Sequence, residues 1–258
     1  MAAELNGGPV DLDRLQALAL TNYGHFTTMR VEDGRVRGLT LHLERLARDC
    51  RAVFGTELDT ERVREFARRV APADGAVVVR VTVFDPALDV VHVGDDAEPH
   101  VLVTSRPAGS LAVSAMRTRS VAFVRDFPEI KNVGLFASLR HRRDAQRAGF
   151  DDALFVDRDG LVAEGSTWNI GFVRGDDVVW PDAAALAGTT MELLRTVHAC
   201  TVEPVPLSGL AGFDAAFATN VAVGVRPITG IDDTTFPDEH PVIDVLRAAY
   251  EAVPGEPL

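Results

Sequence analysis

The stretch ALFVDRDGLVAEGSTWNIGFVRGDDVVW, residues 153–180, decides how the chain is read. It holds four short apolar runs, Ala153–Asp157, Leu161–Ala163, Asn169–Val173 and Val178–Trp180. They are broken at Asp159-Gly160 and Gly175-Asp176, where turn chemistry forces the chain back on itself. Short strands at this spacing, with few helices between them, predict a closed or strongly curved sheet. Glu164 sits within this series, after an apolar strand and just before the Gly165-Ser166 turn, where a strand end can present a carboxylate to a ligand.

Working outward, a strand is expected over Leu111–Met116 and a helix from about Gly134 to Ala148, stopped by Gly149. Another helix opens near Thr189 or Thr190 after Gly188. A strand at Ala215–Thr219 leads into a loop, and a helix near Val242–Glu251 follows. Upstream, residues 25–41 alternate around Asp33-Gly34, a two-residue hairpin signal. Thr40 is placed to cap a helix from Leu41 to Phe54, whose Leu43, Leu46, Ala47, Cys50 and Phe54 recur at helical spacing. A second helix is expected over Thr60–Val70, and Val-rich strands over Ala76–Phe84 and His100–Ser105. The run Arg106-Pro107-Ala108-Gly109-Ser110 reads as a linker. The expectation is therefore an α+β protein, with a small α/β domain over 1–107 and a larger domain over 108–258.

Bulk properties exclude several classes of function. The net charge of −12 disfavours nucleic acid or an anionic membrane as partner. No run approaches roughly 18 uncharged apolar residues, and the N-terminal stretch lacks the basic-then-apolar pattern of a secretory signal. Cys50 and Cys200 lie far apart with no metal-ligand spacing, so no metal is expected, and a reduced, cytoplasmic setting fits. Arg140, Arg142, Arg143 and Arg147, near Asp144, read as a solvated helix face.

The basic residues comprise 25 Arg and one Lys, Lys131. Arginine replaces lysine wherever only positive charge is needed. It cannot do so where a neutral nucleophilic amine is required, because guanidinium stays protonated. Lys131 lies in Pro128-Glu129-Ile130-Lys131-Asn132-Val133-Gly134, just before the expected helix. Three further groups suit a phosphorylated pyridine aldehyde: Glu164 for the ring nitrogen, the helix start Gly188-Thr189-Thr190 for an anion, and Arg45 for the same anion.

In order and spacing these segments resemble the class IV, or fold-type IV, pyridoxal-phosphate enzymes. That family includes branched-chain and D-amino-acid aminotransferases and aminodeoxychorismate lyase. The resemblance runs from Phe26-Thr27-Thr28-Met29-Arg30-Val31 through His42-Leu43-Glu44-Arg45-Leu46 and Ile130-Lys131. It continues through Ala148–Leu154, Glu164–Asn169 and Gly188-Thr189-Thr190 to Ala218-Thr219-Asn220 and Arg226-Pro227-Ile228. It implies a small N-terminal α/β domain, a larger C-terminal pseudo-barrel domain and a homodimer. It also implies pyridoxal 5'-phosphate held by Lys131 as Schiff-base lysine and general acid/base, with Glu164 on the ring nitrogen. Arg45, Thr190 and the main-chain amides at Thr189 and Val221 would hold the phosphate, with Asn169 and Asn220 as cofactor-side residues. Thr27, Arg30 and Trp168 are substrate-contact candidates, as are His25 and Arg106.

The chain departs from the family pattern in three places. Phe26 stands where many relatives have Tyr, Met191 where Arg is common, and Val221 leaves only its amide where a hydroxyl residue is usual. Transamination between an amino acid and a 2-oxo acid is the expected activity. Phe26–Val31 and Asn220 also resemble the lyase that gives 4-aminobenzoate and pyruvate. A relative that binds the cofactor without turnover is the third reading, motivated by the hydroxyls missing at Phe26 and Val221.

Overall fold

The computed structural model describes residues 2–111 and 114–258, which divide into two compact units. The first contains the chain up to Gly109 together with Ile130–Gly134 and Pro254–Leu258. Its elements are β1 (Ala3–Leu5), α1 (Leu12–Thr21), β2 (His25–Glu32), β3 (Arg35–Arg37), α2 (Leu39–Phe54), α3 (Thr60–Val70), β4 (Ala76–Phe84) and β5 (His100–Pro107). The five strands and a C-terminal strand, Gly255–Pro257, form an antiparallel sheet in the order β1-β5-β4-β2-β3-C-terminal strand. The Asp33-Gly34 turn has both residues at positive φ, 49° and 69°, as a tight hairpin with right-twisted strands requires.

Helices α2 and α3 cover one face of this sheet. Val79, Val81 and Val83 of β4 meet Leu39, Leu46, Cys50, Val63 and Phe66 there in one apolar core. Beside its apolar stripe, α2 buries a second, polar stripe of His42, Arg45 and Asp49, three residues at one-turn spacings. The expected Thr40 cap is not made. The helix begins at Leu39 behind Gly38, which sits in the left-handed region at φ 69° and supplies no side-chain cap. Glu256 of the C-terminal strand accepts from the Thr40 amide (3.2 Å) and from its hydroxyl, so the acidic cap comes from far along the chain.

The second unit spans Ser110–Glu129 and Leu135–Val253. It contains β6 (Met116–Ala122), α4 (Phe136–Arg147), β7 (Asp152–Val156), β8 (Val162–Gly165), β9 (Asn169–Arg174), β10 (Asp177–Pro181), α5 (Thr189–Val197), β11 (Cys200–Glu203), β12 (Ala215–Asn220), β13 (Gly224–Ile231), β14 (Thr234–Thr235) and α6 (Pro241–Ala252). The sheet order is β11-β10-β9-β12-β13-β6-β7-β8, and β8 also pairs with β9 through Glu164 and Asn169. Six strands from β9 round to β8 thus close into a ring, the closed sheet expected from the repeated short strands. Its interior is filled by Leu154, Val162, Trp168, Ile170, Phe172 and Ile228.

Two strand expectations fail here. Ala112 and Val113 of the expected Leu111–Met116 strand lie outside the described residues, and the strand begins at Met116 and runs to Ala122. Its alternation of buried Met116 and Thr118 with exposed Arg117 and Arg119 is a one-faced pattern. The segment after Asn220, read as a loop, forms the eight-residue β13.

Candidate functional site

In the first unit, the segment carrying Lys131 lies alongside the start of β2. The Phe26 amide donates to the Lys131 carbonyl (2.9 Å), the Val133 amide to the Gly24 carbonyl (3.0 Å), and Asn132 bridges His25. On the other side the Lys131 amide donates to Oδ2 of Asp49 (3.1 Å). The half-buried Lys131 places its Nζ 5.0 Å from the centre of the Phe26 ring. Arg80 lies over the same ring, its Cζ 3.6 Å from the centre, a cation–aromatic contact.

The polar stripe of α2 meets Thr27 of β2. Arg45 donates to the Thr27 hydroxyl (2.7 Å), which in turn lies 2.7 Å from Nδ1 of His42. Arg45 also sits 3.5 Å from that nitrogen, so Nδ1 carries a lone pair, Thr27 donates to it and the ring hydrogen is on Nε2. His42 stays neutral, its pKa held well below the ordinary value by burial, then by the Arg45 and Lys131 cations. Burial lowers Arg45 to about 10, partly opposed by Asp49, so it remains charged at neutral pH.

His25 is fully buried, and neither ring nitrogen has a hydrogen-bond partner among the described residues. Burial lowers its pKa from 6.5 to about 3. The unfolded chain therefore binds a proton that the folded chain refuses. The resulting stability is intact above pH 6.5 and is lost as pH falls toward 3. Replacing His25 by Leu is expected to flatten the decline in unfolding free energy by about 1.4 kcal/mol per pH unit in that window, read by urea titrations at pH 7, 6 and 5.

The second unit assembles the other group of residues. Glu164, buried in β8, accepts from Arg125 Nε at Oε1 (2.7 Å) and from the Leu186 amide at Oε2 (3.2 Å). A buried carboxylate needs such compensation. Asn169, opposite Glu164 in β9, donates its Nδ2 to the Leu186 carbonyl (2.7 Å). Leu186 is thus held at both main-chain groups, which fixes the approach to α5. A Cβ on Gly188 would stand 2.0 Å from Oδ1 of Asn169, so only glycine fits this close passage.

Gly188 caps α5 with no side-chain bond. Thr189 and Thr190 in the first turn are buried, and the Thr190 hydroxyl has no hydrogen-bond partner among the described residues. A buried polar atom at the positive end of a helix is an anion-binding feature. Asn220 ends β12 by accepting from the amides of Ala222 (2.9 Å) and Val223 (3.1 Å), a turn that carries Val221 at its bend. The hydroxyl of buried Thr219 likewise lacks a partner among the described residues.

Of the substrate-contact candidates, Thr27 is committed to Arg45 and His42, and Arg30 to Glu32 (2.7 Å) and the Gly109 carbonyl (2.7 Å). Trp168 donates Nε1 to Asp152 (2.9 Å), while Arg106 is exposed. Arg142 departs from the expected solvated face. It grips Asp152 through Nε and a terminal nitrogen (2.8 Å) and also donates to Thr167 (2.6 Å), whereas Arg140 pairs with Asp144 (2.9 Å) as a surface residue does. Arg125, Asp152 and Asp49 escape a reading of the sequence alone, because each acts through a partner distant in sequence. Among the described residues no helix is long and apolar enough to cross a membrane, and no cluster of three metal-ligating side chains occurs.

The family model for class IV amino-transferases matches residues 24–231. A probable branched-chain-amino-acid aminotransferase of Synechocystis is 24% identical over 233 residues, covering 83% of this chain and 76% of that protein. The crystal structure of a branched-chain aminotransferase from Thermoproteus uzoniensis, with norvaline, has a TM-score of 0.85 at 22% identity and covers 97% of this chain and 93% of that one. A hypothetical aminotransferase from Mycobacterium tuberculosis in its PLP-bound form has a TM-score of 0.82 at 20% identity, covering 97% and 98%. At these identities the two structures establish the shared fold-type IV architecture.

Proposed function

The chain belongs to the class IV aminotransferase family, and from that premise we propose that it is a pyridoxal-phosphate-dependent aminotransferase, moving an amino group between an amino acid and a 2-oxo acid. The observation that carries the cofactor reading is the buried Thr190 hydroxyl, without a partner among the described residues, in the first turn of a helix whose cap residue offers no side-chain acceptor. An oxyanion there would receive the hydroxyl and first-turn amides together. The donor set fits the cofactor: one lysine, a compensated buried carboxylate at Glu164, and Arg45 charged at neutral pH. When bound, pyridoxal phosphate supplies an electrophilic carbonyl and an electron-withdrawing ring.

In this reading Lys131 would hold the cofactor covalently until the amino group of the donor displaces it, and its freed Nζ would then take the proton from the α-carbon and return it during transfer. Glu164 keeps a proton on the ring nitrogen, with Arg125 orienting its carboxylate. Thr190, the Thr189 and Val221 amides and Arg45 hold the phosphate, and Asn169 and Asn220 fix the loops that present them. The free thiols of Cys50 and Cys200 accord with a reducing cytoplasm, and the working form is proposed to be a homodimer.

The test is a half-reaction screen, following the cofactor's absorbance as D- and L-amino acids are added to the yellow protein. A spectral change with at least one donor, reversed by a 2-oxo acid, supports transamination. Formation of 4-aminobenzoate from aminodeoxychorismate without such changes would replace it by the lyase reading. A bound cofactor that responds to neither leaves binding without turnover.

Replacing Thr190 by Val keeps shape and removes the hydroxyl. Because that hydroxyl has no protein partner among the described residues, the cofactor-free protein should lose no stability, while affinity for pyridoxal phosphate falls about tenfold. Thermal unfolding and equilibrium dialysis measure the two effects separately.

A further inference from the structure

Resting on the assignment of Lys131 as the reactive amine, we propose that Asp49 is a positioning residue. Its carboxylate ties the main chain at Lys131 to helix α2, so that the amine-bearing segment and Arg45 are held as one piece. Asp49 is buried one turn beyond Arg45 on the polar stripe of α2. Its two oxygens have separate tasks. Oδ1 accepts from Arg48 through Nε (3.1 Å) and a terminal nitrogen (2.8 Å), and Oδ2 accepts from the Lys131 amide (3.1 Å). The Arg48 fork sets the plane of the carboxylate, and that plane aims Oδ2 at the amide.

The bonds from Phe26 and to Gly24 along β2 hold this segment from one side through main-chain groups. Asp49 holds it from the other through a side chain, so that contact is open to substitution. A carboxylate bonded to an amide is stronger than a neutral acceptor, which suits a backbone point from which a long, mobile side chain must work reproducibly.

The test uses the cofactor-loaded protein and two readouts, hydrogen exchange at the Lys131 amide and steady-state kinetics. Asp49→Ala is expected to raise exchange at that amide about tenfold while β4 and β5 stay protected, and to lower kcat about tenfold with KM for the amino donor within about threefold. Asp49→Asn keeps an acceptor and should restore most of both. Arg48→Gln alters a half-exposed side chain and loosens the same carboxylate, so exchange should rise about threefold even if Asp49→Ala does not fold. Unchanged exchange at Lys131 in Arg48→Gln and in any folded Asp49→Ala, a uniform rise across all strands, or no recovery in Asp49→Asn relative to Asp49→Ala would overturn the proposal. The exchange readout stands without turnover, so failure of the aminotransferase reading leaves this test decided on its own.

Discussion

Replacing Lys131 by Ala is expected to abolish turnover, by about 10⁴-fold or more, and to leave the fold almost untouched. The two halves of this expectation have different origins. Residue 131 is anchored through main-chain groups: its amide donates to Asp49 and its carbonyl accepts from Phe26. Alanine keeps both. The half-buried side chain contributes modest packing against Phe26, so unfolding free energy should change by about 1 kcal/mol or less.

What alanine removes is the chain's one primary side-chain amine, and no neighbouring residue can substitute for it, since every other basic residue apart from histidine is arginine. Lys131→Arg should therefore be as inactive as Lys131→Ala, although it keeps the charge. Borohydride reduction followed by peptide mass analysis should fix a pyridoxyl group on Lys131 in the parent and on neither variant. Turnover in Lys131→Ala within tenfold of the parent, with the protein folded, would remove the amine from the chemistry.

Much of this arrangement is legible in the sequence because local chemistry decides it. Asp33-Gly34 dictates a hairpin turn, the leucine stripe places α2, and the apolar runs around Glu164 build strands of the closed sheet. The misses share another cause. Strand β13 contains Pro227, which argues against a strand when read alone. Its ladder to β6 begins only at Ile228, so the missing N–H lies outside that ladder. The α2 cap was sought in Thr40, yet the acceptor is Glu256, more than two hundred residues away. Arg142 and Arg140 look alike on a helix, and only the position of Asp152 separates a partly buried fork from a surface pair. Local signals single out Lys131, Glu164 and Thr190 as candidates. The contacts of Asp49 and Arg125, and the bond from Asn169 to Leu186, depend on register and packing.

Asp152 is where removal of one such partner should cost the most stability. Its buried carboxylate accepts from Ser166 Oγ (2.6 Å), the Ala153 amide (2.7 Å) and Trp168 Nε1 (2.9 Å), besides Arg142. Asp152→Ala leaves a partly buried guanidinium and three buried donors without this acceptor, a loss of about 3–5 kcal/mol. For a chain of this length that lowers Tm by roughly 10 °C. Asp152→Asn should cost nearly as much, because its amide hydrogens would face the donors of Arg142 or Trp168. Arg142→Met should cost less, because the carboxylate keeps its bonds from Ser166, Trp168 and Ala153.

Under the proposed function, the same change should reach the chemistry through the turn after Glu164. The Trp168 ring packs so closely under Gly165 that a Cβ there would lie 1.9 Å from it, so Trp168 and Glu164 are fixed together. Once Trp168 loses its acceptor, the turn relaxes and Glu164 with it. Folded Asp152→Ala, assayed well below its Tm, should therefore bind pyridoxal phosphate more weakly as well as unfold sooner. Urea titration and cofactor dialysis on the same preparation check both effects. A stability loss under about 1 kcal/mol would mean that the Asp152 cluster is not what holds the Glu164 turn.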